Sequence, residues 1–248
     1  MPGLALNWPV ATTVAALTET AVHVWALPLD LAPEKIAALA ATLSQDERER
    51  ADRFRFEHLR HRFMAGRGGL RALLAHYLQA EPAQLEFTYA SRGKPGLAGS
   101  AAGRLHFNLA HSQDLALIAV TRLAPLGVDV EKIRPMPDAL AIAERFFSTA
   151  ERAAFDTLPS AAHDAAFFHL WTRKEAWLKA TGDGIAESLS KIEVAFLPGE
   201  PARVRAIAGD AAAGDAWSLC ELNPAGGFVG AVAIPSRPAG VECWCAEL

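Results

Sequence analysis

The chain contains 248 residues, of which 51% are hydrophobic and 21% are charged. Its 24 Lys and Arg residues against 28 Asp and Glu residues give a formal net charge of −4, which excludes the global basic field that nucleic-acid binding proteins normally use. The length suffices for one large or two small domains with a real core, so any anionic ligand must be held by a local cluster of cations.

The apolar runs and the N-terminal charges indicate in which cellular compartment the protein is expected. Runs such as residues 115–120 fall far short of the roughly 20 residues that a membrane-spanning helix needs. No Lys or Arg precedes Lys35, so the positive region of a secretory signal is lacking. We therefore expect a cytoplasmic protein that interacts with no membrane and no nucleic acid.

The three cysteines are an odd number without the spacing of a disulfide framework. Cys243 and Cys245 have neither a second pair of cysteines nor a nearby histidine to complete a tetrahedral zinc site. We interpret them, together with Cys220, as small hydrophobic residues of strands.

The first part of the chain is predicted to be mostly helical after a short strand at about 22–27. Pro33 suits a first helical turn, and Ser44 followed by acidic residues is typical of an N-cap. A long helix is predicted over residues 57–78. Short strands separated by glycine and proline then follow at 85–89, 105–109, 115–121 and 127–133.

The order of elements repeats beyond residue 135. Helices are predicted as far as about residue 181, and the capping box of Ser148 and Glu151 begins one of them. A hairpin loop is predicted at 208–216, which is rich in Ala, Gly and Asp. The strands of this part are predicted at 191–196, 204–208, 217–222, 228–234 and 241–245.

This repetition predicts an α+β fold built from two similar α/β halves, a pseudo-dimer within one chain. We place the N-terminal half at residues 1–125 and the C-terminal half at residues 126–248. A cleft between two halves is a common place for a ligand, so we expect the active site there.

Two carboxylates lie in the predicted strand at 127–133. Because side chains alternate along a strand, Asp129 and Glu131 point to the same face. Neighbouring carboxylates repel each other unless a cation neutralises them, and hard oxygen ligands at this spacing suit Mg²⁺. An exposed strand face with two solvated acids would explain the same pattern.

A second group lies in the helix that ends near Gly182. Trp171, Glu175 and Lys179 are four residues apart and therefore share one helix face. An ordinary surface ion pair between Glu and Lys would account for the spacing. The many aromatic residues of this helix indicate burial, however, and a buried carboxylate needs a partner or a function.

The third group is cationic. Lys94 stands in a predicted turn and His111 at the end of a predicted strand, where either could bind a phosphate, although a histidine after a strand is more often a turn residue. An arginine presents a planar fork that suits phosphate, while a solvated helix surface would also explain such a cluster. The arginines of the cluster are Arg48, Arg50, Arg53, Arg55, Arg60, Arg62, Arg67 and Arg71.

Six motifs stand in one order along most of the chain. They are Arg50-x-x-Arg53-Phe54, Gly93-Lys94-Pro95, Phe107-Asn108-x-x-His111-Ser112, Gly127-Val128-Asp129-x-Glu131, Phe146-Phe147-Ser148-x-x-Glu151 and Trp171-x-x-Lys174-Glu175-Ala176-x-x-Lys179-x-x-Gly182. In this order and spacing the chain resembles the 4′-phosphopantetheinyl transferases of the Sfp-like type, which are two-halved monomers.

The resemblance implies a Mg²⁺-dependent transfer of phosphopantetheine from coenzyme A to a serine of an apo acyl or peptidyl carrier protein, with release of adenosine 3′,5′-bisphosphate. It implies that Asp129, Glu131 and Glu175 hold the Mg²⁺. It also implies that Glu175 is the base for the serine hydroxyl and that Lys179 lies against the phosphates. A monomer is expected, because a chain that holds both halves need not pair with a second copy to build the cleft.

The resemblance assigns the nucleotide end of coenzyme A, including its 3′-phosphate, to a set of cations. These are Arg50, Arg53, Arg62, Lys94 and His111, with Lys179 at the pyrophosphate. One departure is Ala110, where the family often has a serine, so we expect coenzyme A binding to be weaker by about 1.5–3 kcal/mol. Two alternatives remain open at this point: a Mg²⁺-dependent phosphohydrolase of a similar pyrophosphate, and a non-enzymatic coenzyme A binding protein.

Overall fold

The computed structural model describes residues 4–11, 16–91, 93–182 and 189–247. The N-terminal elements are β1 (Ala21–Pro28), α1 (Pro33–Ala41), α2 (Gln45–Asp52), α3 (Glu57–Leu78), β2 (Phe87–Tyr89), β3 (Pro95–Leu97), β4 (His106–Ser112) and β5 (Leu115–Thr121). The long helix and β5 therefore lie at their predicted bounds.

The C-terminal elements follow in a similar order. They are β6 (Gly127–Lys132), α4 (Ala139–Phe146), α5 (Thr149–Asp156), α6 (Ser160–Thr181), β7 (Ile192–Val194), β8 (Val204–Ile207), α7 (Ala211–Asp215), β9 (Ser218–Leu222), β10 (Phe228–Ile234) and β11 (Gly240–Cys245). The chain is thus a mixed helix and sheet protein, as predicted. No helix among the described residues has the length and apolar character to cross a bilayer.

Two sheets form the centre of the molecule. The first has the strand order β11-β1-β5-β4 and the second has the order β6-β10-β9, while β2–β3 and β7–β8 are separate hairpins. Strands β1, β5 and β4 pair antiparallel, and so do β6, β10 and β9. Strand β1, which precedes the first group of helices, therefore pairs with β5. Strand β6, which precedes the second group, pairs in the same way with β10.

Strand β11 departs from the predicted division of the chain. It pairs in parallel with β1, with Val22 opposite Val241 and Ala26 opposite Cys245, so the last strand of residues 126–248 belongs to the first sheet. Local sequence patterns report that a segment is extended, but they do not report which distant strand it joins.

The predicted hairpin loop at 208–216 is wrong. Residues Ala211–Asp215 form a short helix, and the side chain of Asp210 caps it by accepting a hydrogen bond from the backbone N–H of Ala212 at 2.9 Å. Three consecutive alanines have a high helix propensity, and an Asp directly before them is a favoured N-cap. The aspartate before the three alanines therefore begins a helical turn, where the composition had predicted a loop.

The predicted capping box of Ser148 with Glu151 forms, and the predicted N-cap Ser44 forms a second capping box with Glu47. Each box begins a short helix that precedes a long one, and each glutamate is buried. Since a buried carboxylate needs partners, each glutamate also pairs with cations of the following long helix. Glu47 contacts Arg67 and Arg71, and Glu151 contacts Lys174.

The two sheets meet where β4 lies beside β6. The side-chain oxygen of Asn108 accepts a hydrogen bond from the backbone N–H of Val128 at 2.9 Å, and the hydroxyl of Ser112 accepts one from the N–H of Lys132 at 3.2 Å. These side chains take the place of backbone acceptors along the edge of β6. The junction brings the end of β4, with His111, next to the strand that carries the acidic pair.

Candidate active site

Helix α6 packs directly on β6, and Gly127 permits the close approach. A Cβ atom at this position would lie 2.0 Å from the carbonyl oxygen of Ala176 and 2.4 Å from the backbone nitrogen of Ala180. Only glycine leaves room for such a contact between two backbones. Because of it, the side chains of Asp129 on β6 and of Glu175 and Lys179 on α6 reach the same place.

Asp129 is the centre of this group. Its side chain is only 8% exposed, and Lys179 Nζ lies 2.5 Å from its Oδ1. Burial raises the pKa of Asp129 to about 6, since desolvation disfavours the charged form more than the neighbouring ammonium of Lys179 favours it. The other oxygen, Oδ2, is buried and has no hydrogen-bond partner among the described residues.

Glu175 lies beside Asp129 and shares its situation. Burial raises its pKa to about 7, and the negative charge of Asp129 adds to the shift. Its Oε1 is likewise buried without a hydrogen-bond partner in the part of the chain that the structure describes. A carboxyl group with a pKa close to neutrality is suited to accept a proton during catalysis.

Glu131 is held differently from the other two carboxylates. Its Oε2 accepts a hydrogen bond from the Ser112 hydroxyl at 2.8 Å and one from the Arg134 guanidinium at 3.1 Å. The Arg134 guanidinium also lies over the Phe168 ring, 4.8 Å from its centroid. Sequence reasoning did not assign Ser112 or Arg134 to the site. Arg134 stands three residues after Glu131, the one local signal that could have found it.

These carboxylates fit a divalent cation by the chemistry of their oxygens. Asp129 and Glu175 each leave a buried carboxylate oxygen without a partner, and both Asp129 and Glu131 raise the pKa of Glu175. A cation would relieve this repulsion. The described residues contain no group of three or more His, Cys, Asp or Glu side chains already arranged around one point, so the three-ligand Mg²⁺ site stays a prediction.

A cavity of about 690 Å³ lies on the side of His111. Its lining includes the predicted phosphate ligands Arg50, Arg53, Arg62 and His111. Burial lowers the pKa of His111, and the charges of Lys179 and Glu131 also act on it, so this histidine of the cavity lies within electrostatic range of both residues. The structure therefore brings four predicted nucleotide ligands together beside the predicted catalytic residues.

Within this cavity, Arg62 already has a partner. Its Nε and Nη2 donate hydrogen bonds to the carboxylate of Asp30 at 2.6 and 2.7 Å. A guanidinium has five N–H donors, so others stay available for a phosphate. Arg50 lies over the Phe63 ring with its guanidinium carbon 5.4 Å from the centroid, a cation–π contact that uses none of its N–H groups as hydrogen-bond donors.

Lys94 does not join these cations. Neighbouring Gly93 and Pro95 line the cavity, whereas Lys94 does not. The Lys94 ammonium instead donates hydrogen bonds to the backbone carbonyls of Leu126, Lys179 and Ala180. The structure therefore gives this ammonium backbone partners in place of the nucleotide phosphate that was predicted for it.

Ala110 is also placed away from the cavity. It is 4% exposed and belongs to an apolar cluster with Leu117 and Val128, whereas its neighbour His111 lines the cavity. Adjacent residues of a strand point to opposite faces, which explains the difference. The expected weakening of coenzyme A binding by the missing hydroxyl stays a prediction.

Comparison with known proteins agrees with this arrangement. Residues 31–123 match the family described as 4′-phosphopantetheinyl transferase, N-terminal, and residues 125–233 match the 4′-phosphopantetheinyl transferase superfamily. The chain is 48% identical to the 4′-phosphopantetheinyl transferase HetI of Nostoc sp., over 86% of this chain and 87% of that protein. The chain belongs to the 4′-phosphopantetheinyl transferase family.

Two further relatives have the same description. The 4′-phosphopantetheinyl transferase psf-1 of Bacillus pumilus is 40% identical over 66% of this chain and 69% of its own length. The 4′-phosphopantetheinyl transferase Sfp of Bacillus subtilis is 29% identical over 66% of this chain and 71% of its own length. The chain is therefore an enzyme of the phosphopantetheinyl transferase class, which favours group transfer over the hydrolase and the non-enzymatic alternatives.

Proposed function

We propose that the chain transfers 4′-phosphopantetheine from coenzyme A to a serine hydroxyl of an apo acyl or peptidyl carrier protein. The reaction is Mg²⁺-dependent and releases adenosine 3′,5′-bisphosphate. The observation that carries the proposal is the group of Asp129, Glu175 and Lys179, whose two carboxylates are buried, next to a cavity lined by four arginines and a histidine. Displacement at a pyrophosphate needs mainly aligned reactants and neutralised charge, and these residues supply both.

Glu175 is the base in this proposal. It accepts the proton of the carrier serine as the serine oxygen forms a bond to phosphorus and the bond from phosphorus to the adenosine 3′,5′-bisphosphate oxygen breaks. Without a cation its pKa is raised to about 7, and a Mg²⁺ held by the same carboxylate would lower this pKa, so that Glu175 would be ionised and able to accept the proton near neutral pH. Lys179 donates hydrogen bonds to the departing phosphate, whose charge increases as that bond breaks.

Asp129, Glu131 and Glu175 hold the Mg²⁺ in this proposal. When bound, the ion supplies positive charge against the pyrophosphate oxygens. Ser112 and Arg134 support the metal site by holding Oε2 of Glu131. Arg50, Arg53, Arg62 and His111 bind the nucleotide end, including the 3′-phosphate.

We also propose that the chain is a pseudo-dimer of two similar halves with the active site in the cleft between them. Support comes from the matching strand orders β1-β5-β4 and β6-β10-β9, and from the matching pairs of capping box and long helix. A chain that holds both halves needs no second copy to build the cleft, so we propose a monomer. Its three free cysteines suit the reducing cytoplasm.

Mass spectrometry of apo carrier proteins tests this function. After incubation with coenzyme A and Mg²⁺, we expect a carrier to gain one phosphopantetheine, about 340 Da as fixed by the covalent structure of the group. The gain should disappear in EDTA and in a carrier whose acceptor serine is alanine. Consumption of coenzyme A without any carrier would support a hydrolase, and coenzyme A binding without either reaction would leave only a binding protein.

A further inference from the structure

The three N–H bonds of the Lys94 ammonium all have backbone acceptors. Lys94 Nζ lies 3.1 Å from the carbonyl oxygen of Leu126, 2.5 Å from that of Lys179 and 3.3 Å from that of Ala180. A lysine ammonium has three donors and no acceptor, so these contacts use its whole capacity. Burial lowers the pKa of Lys94, the direction expected for an ammonium withdrawn from water.

The three carbonyls belong to the two elements that carry the catalytic side chains. Leu126 directly precedes β6, which carries Asp129, while Lys179 and Ala180 lie in the last turn of α6. The last carbonyls of a helix have no partner within the helix and carry a partial negative charge. A cation placed there satisfies them, and here the same cation also reaches the beginning of β6.

Lys94 reaches this position from the side of the nucleotide cavity. It ends the turn between β2 and β3, which is closed by hydrogen bonds from the N–H of Gly93 to the carbonyl of Ala90 at 2.8 Å and from the N–H of Ala90 to the carbonyl of Lys94 at 3.0 Å. Tyr89, Gly93 and Pro95 of this hairpin line the cavity. The hairpin thus contacts the cavity, while its lysine contacts β6 and α6.

We propose that Lys94 is a positioning residue that fixes β6 and α6 relative to each other and to the nucleotide cavity, and that it is not a ligand of the coenzyme A phosphates. The inference rests on the proposed function of the site. Without the ammonium, the carbonyls of α6 and of Leu126 lose their common partner, and Glu175 and Lys179 shift relative to Asp129. A displacement of about 1 Å can cost on the order of 100-fold in rate.

The test compares two substitutions at this position by two measurements. Lys94→Met removes the ammonium and keeps the length of the side chain, whereas Lys94→Arg keeps the charge but replaces a compact ammonium by a planar fork. Arginine serves at least as well as lysine on a phosphate, but it does not fit three carbonyls that converge on one nitrogen. Kinetics at saturating coenzyme A give kcat, and calorimetry gives the Kd for adenosine 3′,5′-bisphosphate.

We expect both variants to lower kcat about tenfold to 100-fold and to leave the Kd for adenosine 3′,5′-bisphosphate within about twofold of the unmodified enzyme. Lys35→Met, on the exposed face of α1, is the matched control and should change neither value. Arg53→Met is the control for a lost phosphate contact and should raise the Kd about tenfold.

Several results would overturn the inference. A raised Kd in Lys94→Met with full activity in Lys94→Arg would make Lys94 a phosphate ligand. Unchanged kcat in both variants would remove any role in the reaction, and loss of the folded state in both would assign Lys94 to stability alone. Turnover by the unmodified enzyme is measured in the same series, so failure of the proposed function is distinguished from failure of this inference.

Discussion

The two long helices of the chain have similar surroundings but carry different chemistry. Arg71 is the fifteenth residue of the 22-residue helix α3, and Lys174 is the fifteenth residue of the 22-residue helix α6. Each pairs with the buried glutamate of the capping box before its helix, Glu47 or Glu151. A buried ion pair therefore connects each long helix to the short helix that precedes it.

The difference lies at the next positions along each helix and strand. The residue after Arg71 is Ala72, whereas the residue after Lys174 is Glu175. The third residue of β1 is His23, whose Nδ1 forms a hydrogen bond with the Tyr77 hydroxyl at 2.7 Å. The third residue of β6 is Asp129. The N-terminal helix and strand thus enclose an aromatic cluster, and the C-terminal helix and strand enclose a set of carboxylates. Since the pairing of cation and glutamate occurs in both, we interpret it as structural, and the proposed catalytic roles fall on the adjacent residues.

The largest expected effect is a loss of rate on replacing Glu175, the proposed base. Glu175→Gln should lower kcat about 10²-fold to 10⁴-fold, because a neutral amide cannot accept the serine proton. The melting temperature should stay unchanged or rise, since burial disfavours the charged carboxylate. The measurement is the rate of carrier modification by mass spectrometry. Glu144→Gln, on the exposed face of α4, is the control; equal rates in the two variants would remove the base assignment.

The next prediction compares the two buried ion pairs, Lys174 with Glu151 and Arg71 with Glu47. Lys174→Ala should lower the free energy of unfolding by about 3–5 kcal/mol, because it leaves Glu151 buried without its cation. Arg71→Ala should cost less, since Arg67 still contacts Glu47. Thermal and denaturant unfolding of both variants measure this order. A larger loss of unfolding free energy in Arg71→Ala than in Lys174→Ala would contradict this account.

A third prediction concerns the contact between β6 and α6. Gly127→Ala should destabilise the protein by about 1–3 kcal/mol by overpacking, because its Cβ would lie 2.0 Å from the carbonyl oxygen of Ala176. It should also lower kcat by separating Asp129 from Glu175. Gly127 is the first residue of β6, and the first residue of β1 is Ala21. The N-terminal half therefore accepts a Cβ at the corresponding position. Unfolding curves and rates like those of the unmodified enzyme would contradict the close approach.

The smallest expected effect is a pH dependence of stability that comes from Glu47 in the N-terminal half. Burial would raise the pKa of Glu47, but Arg71 and Arg67 outweigh it and hold the pKa below its ordinary value of 4.5. A lowered folded-state pKa contributes stability above the unfolded-state value, and this contribution is lost as the pH falls through the folded-state value. The stability difference between the unmodified protein and Glu47→Gln should therefore narrow below about pH 4.5. A difference that stays constant between pH 7 and pH 3 would contradict this account.

Much of the fold could be predicted from local patterns. The helix Glu57–Leu78 and the strands Leu115–Thr121 and Phe228–Ile234 lie at their predicted bounds, because continuous apolar runs and helical spacing are local properties. The partner of β11 was not predictable in the same way. Its pairing with β1 joins residues more than 200 positions apart, and the alternation of side chains along a strand carries no information about the neighbouring strand.

The candidate site was predictable in its residue types but not in all of its contacts. Motif order placed Asp129 and Glu175 in one site, and the structure brings them together. The carbonyl partners of Lys94 and the contact of Arg134 with Glu131 depend on how elements pack in three dimensions. A lysine in a turn has the same local sequence whether it binds a phosphate or a helix end, so spacing alone could not separate these roles.

A double-mutant cycle on the two elements tests the central claim most directly. Asp129→Asn, Glu175→Gln and the combined variant are compared by the rate of carrier modification at saturating coenzyme A. If β6 and α6 form a single transfer site, the combined variant should lose little more than the more damaged single variant, because residues that act as a unit are not additive. Rate losses that multiply fully in the combined variant would contradict the account.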